Sequence, residues 1–223
     1  MQAIMETIFD IAYLAAILFM GILMCVKSQG NRRFLLFGIM AVVLGCGDAF
    51  HLVPRAYSLL TNRMNANVAA LGFGKLVTSV TMTVFYVILY HFLRLRYETK
   101  GKTPLTIAVY ALATLRIALC LFPQNDWFSA DAPLSWGIYR NIPFVILGII
   151  LICLSFIEAR KLGDKPFHYA WLAILHSFAF YIPVVLWADA VPMIGMLMIP
   201  KTLCYVWLVS MGFREFRKAQ LTA

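Results

Sequence analysis

Hydrophobic residues fall in seven long blocks separated by short polar breaks, and single charged residues recur inside several blocks at helical spacing. About 20 apolar residues carry an α-helix across the hydrocarbon core of a bilayer. The blocks at 7–26, 34–54, 67–93, 104–122, 136–158, 167–188 and 191–213 are of that order. Pro104, Pro166 and Pro192 stand at the openings of the fourth, sixth and seventh blocks, where a helix has no use for the missing amide. Pro54 sits close to the end of the second. The pattern predicts an all-α, polytopic membrane protein, a single transmembrane domain over 1–223 built as a seven-transmembrane-helix bundle.

Composition agrees: 62% of residues are hydrophobic and 13% charged, against about 45–50% and about 25% in a soluble domain. The net charge of +9 could suggest nucleic acid, but its placement excludes that partner. Lys27, Arg32 and Arg33 follow the first block, and Arg94, Arg96, Lys100 and Lys102 the third. Arg160, Lys161 and Lys165 follow the fifth, and Arg214, Arg217 and Lys218 the seventh. Thirteen of the 19 basic residues thus lie in alternate loops. The positive-inside rule then places the N-terminus outside and the C-terminus in the cytoplasm, as an odd number of spans requires. A multi-pass protein of the plasma (inner) membrane, in contact with membrane lipids, is expected. The opposite side carries Glu6, Arg63, Asp126, Asp131 and Asp189, and Trp127, Trp136 and Trp187 read there as interfacial anchors. The first block lacks a basic leader and reads as a retained helix. Five scattered cysteines, with no CxxC pair, read as small buried hydrophobes.

The polar residues inside the blocks change the picture from membrane protein to membrane protein with a site. Arg55, Lys75, Arg116, Arg140, Lys201 and, when protonated, His51 are basic groups at membrane depth. Each costs roughly 2.5 to 17 kcal/mol unless it meets a partner, water or a ligand. Asp48, His51 and Arg55 share one helix face, as do Lys75, Ser79, Met82 and Tyr86. With Asp10, Arg116, Arg140, Asn141, His176, Lys201 and Tyr205, every block places a polar group in the outer half or near the midplane. The cytoplasmic half is expected to be apolar inside. Local pairs of Asp48 with Lys75 or Lys201, and of Asp10 with Arg116 or Arg140, would be structural. Arg55 and Arg140 are close enough to a helix end to snorkel. Even so, cations outnumber carboxylates, and a surplus positive field in a low dielectric favours an anion. Arg55, Lys75, Ser79, Arg116, Arg140, Asn141, His176, Lys201 and Tyr205 are therefore candidate ligand-binding residues, and the ligand an anionic amphiphilic small molecule or lipid headgroup.

Other chemistries use the same residues. Asp48 and His51, one turn apart, could act as base and acid, or with His176 as three zinc ligands. Seven spans with intramembrane His and Asp resemble the CREST group of membrane hydrolases, which implies a possible zinc-dependent lipid hydrolase. Gly47-Asp48-Ala49-Phe50-His51 carries the likeness, but Gly47 stands where that family has serine. His168 and His176 are eight residues apart, about 12 Å along a helix, whereas the family has HxxxH. A lysine midway along the last span, with Tyr181-Ile182-Pro183-Val184-Val185-Leu186-Trp187 before it, resembles a microbial rhodopsin and implies retinal on Lys201. The acidic counter-ion motif of that family's third span is replaced here by Lys75. A transporter is a further reading, with Gly45-x-Gly47, Gly72-x-Gly74 and Ile199-Pro200 as expected helix breaks.

Overall fold

A computed structural model describes residues 2–61, 63–99, 101–188 and 190–221. Lys100 and Asp189 lie outside the described residues. Seven helices carry the fold: α1 (Gln2–Val26), α2 (Arg32–Thr61), α3 (Val68–Arg96), α4 (Thr103–Leu121), α5 (Leu134–Lys161), α6 (Ala170–Trp187) and α7 (Met198–Leu221). Short 3₁₀ turns at Asn65–Asn67, Pro123–Asn125 and Pro192–Leu197 bridge them, and there is no strand among the described residues. All seven helices are long and apolar enough to cross a membrane, which suggests a multi-pass membrane protein. Each packs on its chain neighbour, and α7 closes the ring against α1. Inside the ring α3 also reaches α5, and α2 reaches α7.

Glycine sets the close approaches. A side chain on Gly74 would strike the backbone of Phe50 and His51, one on Gly47 would strike Thr81, and one on Gly72 the carbonyl of Trp127. Small residues let helix backbones approach within van der Waals range, so α2 and α3 form the tightest pair. Pro54, inside α2, leaves the Phe50 carbonyl without its helical donor, and that carbonyl faces Gly74. Two more glycines are sockets for rings: Gly148 for Phe178 and Gly212 for Phe37.

Three sequence expectations need correction. The paired glycines do not break their helices: α2 and α3 run unbroken through them, and Pro200 stands in the first turn of α7. Absence of a Cβ serves interhelical contact here, not a kink. Trp127 is not an interfacial anchor. It is buried, donates its ring N–H to the Cys120 carbonyl at 2.8 Å, and lies in a loop turned inward at Asp126, whose φ is 46°. Cys46 and Cys153 are exposed on the helix surface rather than buried.

The two ends of the bundle differ. The end carrying the loops after α1, α3 and α5 and the C-terminus is the basic one, and it is clamped by ion pairs. Arg96 grips Asp164 with two bonds of 2.5 and 2.7 Å, holds Glu215 at 2.6 Å, and lies over the Phe167 ring. Lys102 meets Glu158 at 2.7 Å, and Arg33 meets Glu98 at 3.6 Å. Burial alone would raise the Asp164 carboxyl, but the hydrogen bonds and charge of Arg96 hold it below the usual carboxylate value. The Tyr97 phenol beside it is pushed upward, first by desolvation and then by the Asp164 charge. This half was expected to be apolar inside, but it buries Glu158 and Ser155 and largely encloses the Arg96–Asp164 pair.

Candidate functional site

Arg116 is the largest fully buried side chain among the described residues, 2% exposed, on α4 a little more than one turn before its end. Its guanidinium carbon lies 3.3 Å from the centre of the Phe144 ring. Its Nε and Nη1 are buried and have no hydrogen-bond partner among the described residues. Among the described residues no carboxylate reaches it within ion-pair distance. A ring face supplies part of what a buried cation needs, but two strong donors remain unsatisfied.

Lys201, in the first turn of α7, is 7% exposed. Its ammonium sits 4.7 Å from the ring centre of Tyr181 and 5.7 Å from that of Tyr205. Asp48 on α2 is its electrostatic partner across the bundle, without a contact ion pair. The Tyr13 hydroxyl, from α1, donates to Asp48 at 2.6 Å. Tyr181 donates to Asn141 Oδ1 at 2.9 Å, while Asn141 donates to the Gly137 carbonyl of its own helix. Below Lys201, the hydroxyls of Tyr205, Tyr86 and Ser177 line up at 3.5 and 3.3 Å. Phe144, Phe178 and Phe85 pack edge-on around Tyr86 and Tyr205. The core of the bundle is thus a tyrosine-lined polar patch with two buried cations and one facing carboxylate.

Arg140 stands at the rim. It lies 4.3 Å over the Trp127 ring and donates to Asn125 Oδ1 at 2.9 Å. The Asn125 amide in turn donates to the Leu119 and Phe122 carbonyls that α4 leaves open at its end. The α4–α5 loop therefore fixes Arg140 beside the Arg116 site instead of letting it snorkel.

The remaining candidates disperse. Arg55 is taken by Glu6 of α1 at 2.5 Å. Asp10, expected to pair with Arg116 or Arg140, instead lies near Glu6, Arg55 and Asp48, and its buried Oδ2 has no hydrogen-bond partner among the described residues. Lys75 is exposed on α3, and Ser79 bonds back to the Lys75 carbonyl at 2.7 Å. His51 turns toward α3 near Leu71, with a buried, unpartnered Nδ1 and Arg55, Lys75 and Lys201 as nearby charges. His176 is exposed on α6, bonded to its own helix at the Leu172 carbonyl. Asp48, His51 and His176 are therefore not brought together, and no cluster of three metal-binding side chains occurs among the described residues. Helix rotation decides this, since the face of α6 turned inward carries Ser177 and Phe178.

The sequence reading missed Tyr13, Tyr181 and Phe144. Tyr13 lies one turn beyond Asp10 and on its face, a signal that was present; the ring over Arg116 had none. Two surface depressions lie away from this site, one along the outer face of α4 at Thr106, Tyr110 and Thr114, the other beside the α5–α6 turn. Compared with known protein families, curated proteins and solved structures, the chain matches none.

Proposed function

We propose that the protein is a plasma-membrane, N-out/C-in bundle that binds an anionic amphiphilic molecule, by its phosphate or carboxylate, between α4, α5, α6 and α7. The observation that carries this reading is the buried Arg116 guanidinium with two unpartnered nitrogens. A buried donor without an acceptor is costly, and a buried charge more so. An oxyanion at Arg116 would accept from Nε or from Nη1, the donors left open on two different edges of the guanidinium. Lys201 and Arg140 would add positive field, and the Tyr205 hydroxyl and the second amide hydrogen of Asn141 would orient the head, with Tyr181 holding Asn141 in place. The aromatic walls suit an apolar tail. Asp48, held by Tyr13, offsets part of the charge of Lys201 while the site is empty. The same site would serve sensing or transport. Entry requires α4 and α5 to part, and α4 is among the least embedded of the seven helices. The basic loops support the orientation.

The test is a titration of the purified protein in nonionic detergent with lysophosphatidic acid, lysophosphatidylcholine and inorganic phosphate, read by isothermal calorimetry. Lysophosphatidic acid is expected to bind and lysophosphatidylcholine not. Arg116→Gln should weaken binding by at least about tenfold, the value of one charge-assisted hydrogen bond, and Arg63→Gln, on the exposed α2–α3 turn, should not. An unchanged affinity in Arg116→Gln would refute the site.

A further inference from the structure

At the basic end the acids and bases are sorted in a way the core site does not explain. Glu158, Asp164 and Glu215 point their carboxylates at Lys102 and Arg96, and Glu98 points its own at Arg33. The acids of this face are thereby occupied. Arg160, Lys161 and Lys165 are exposed and have no carboxylate within ion-pair distance among the described residues.

Two of these bases line one open depression. Between the end of α5 and the start of α6 a depression of about 470 Å³ is lined by Ala159, Arg160, Gly163, Lys165, His168 and Tyr169. The Arg160 guanidinium is held over the Phe156 ring at 4.0 Å, and His168 stands edge-on to Tyr169. Three of the carbonyls at the end of α5, which would repel an anion, are already taken. Leu162, Gly163 and Asp164 donate their amides to Glu158, Arg160 and Ala159. Beyond Tyr169 the surface turns apolar: Trp207 stacks on Tyr169, and Leu203 and Leu175 are exposed alongside. Aromatic rings at the edge of an apolar belt mark headgroup depth. A cationic cup at that depth, opening onto an apolar wall, has the chemistry of an anionic phospholipid: phosphate in the cup, acyl chains along α6 and α7.

We infer that the α5–α6 turn is a second, separate binding site, for the phosphodiester headgroup of an anionic membrane lipid held by Arg160, Lys165 and His168. The site is independent of Arg116. Occupancy would seat the turn against the Asp164–Arg96–Glu215 clamp and link lipid composition to the packing of α3, α6 and α7.

The experiment uses the full chain in nonionic detergent at physiological salt, titrated with dioleoyl phosphatidylglycerol or dioleoyl phosphatidylcholine and read by native mass spectrometry. Phosphatidylglycerol should bind in preference. Each juxtamembrane charge removed should cost roughly fivefold in affinity, so Arg160→Gln/Lys165→Gln together should cost roughly thirtyfold. Lys165→Arg should bind as the parent does, as should Arg116→Gln, which disables only the core site. Arg217→Gln, an exposed base on the same end but outside the depression, should change affinity less than twofold. The inference is overturned if Arg217→Gln costs as much as Lys165→Gln, since a diffuse field would then suffice. Equal binding of phosphatidylcholine, or loss of binding in Lys165→Arg, overturns it as well. Displacement by soluble glycerol 1-phosphate at matched concentration would mean a site for a free phosphate, and overturns the lipid assignment.

Discussion

Replacing Arg116 by methionine separates a binding cation from a structural one, because the two roles give stability changes of opposite sign. Arg116 is fully buried and, among the described residues, has no carboxylate in contact and no partner for Nε and Nη1. The effective penalty for a buried ion is several kcal/mol even after relaxation. Against it stands the Phe144 ring at 3.3 Å, about 2 kcal/mol for a desolvated cation–π contact. Methionine fills much of the same volume with an adaptable thioether and keeps a favourable contact with the ring. The empty protein should therefore gain about 1–3 kcal/mol, the sign seen when buried charges give way to packed apolar residues. A gain of that size raises the unfolding midpoint by about 2–4 °C per kcal/mol in a chain of this length. Thermal unfolding in detergent, with and without lysophosphatidic acid, gives the readout. The variant should be more stable than the parent alone and should gain nothing from the ligand. A loss of more than about 2 kcal/mol would show that the guanidinium is satisfied in place and holds the fold, and would refute an anion site at Arg116.

Two further outcomes follow from the packing and the clamp. Gly74→Ala places a methyl 2.6 Å from the His51 Cα, so α2 and α3 must separate at a cost of about 1–3 kcal/mol. Gly137→Ala, whose methyl would meet nothing nearer than Arg140 Nη2 at 3.8 Å, should instead stabilise by up to about 1 kcal/mol; denaturant melts of both compare the signs. Asp164→Asn breaks a pair whose side chains are 10% and 7% exposed. It should cost about 2–4 kcal/mol, less than a complete loss because Glu215 still holds Arg96. The Asp164 carboxyl is depressed in the fold, so its contribution is full above the unfolded value of 3.8 and is lost as pH falls through the folded value. The neighbouring Tyr97 phenol is raised, so its share is lost as pH rises past about 10. Unfolding followed against pH should show the acid loss in the parent and not in Asp164→Asn.

Element number was legible because hydropathy in blocks has one outcome in lipid: backbone polar groups must be satisfied within the segment. Boundaries slipped where polar residues continue a helix past the apolar run, as α2 does to Thr61 and α7 to Leu221. The site was only half legible, because block position fixes depth and nothing in one sequence fixes rotation. Depth alone put His176 with Lys201 and Asp48; rotation turned His176 outward and Ser177 inward. Depth put Arg55 in the cationic group, while Glu6 on the neighbouring helix neutralises it. Local spacing misled as well. Asp48 and His51 share a helix face, yet one meets Tyr13 of α1 and the other turns to α3.

The chain pairs charges elsewhere, and this gives the unpaired ones their meaning. At the basic end Arg96 alone engages two carboxylates, and Arg55 reaches Glu6 across a helix interface. Stability therefore does not lack means of matching a cation with an acid. Asp10 on α1 is buried with an unpartnered Oδ2, while Arg116 on α4 is buried with two unpartnered nitrogens. Bringing such groups together, or replacing both with apolar residues, would relieve two penalties at once. The fold does neither. It places a phenylalanine ring against Arg116, which stabilises the cation without filling its hydrogen-bond positions, and it anchors Arg140 nearby through Asn125. A guanidinium desolvated, positioned and left with free donors is what recognition of an oxyanion requires, since the cost of stripping it of water is met during folding and not during binding.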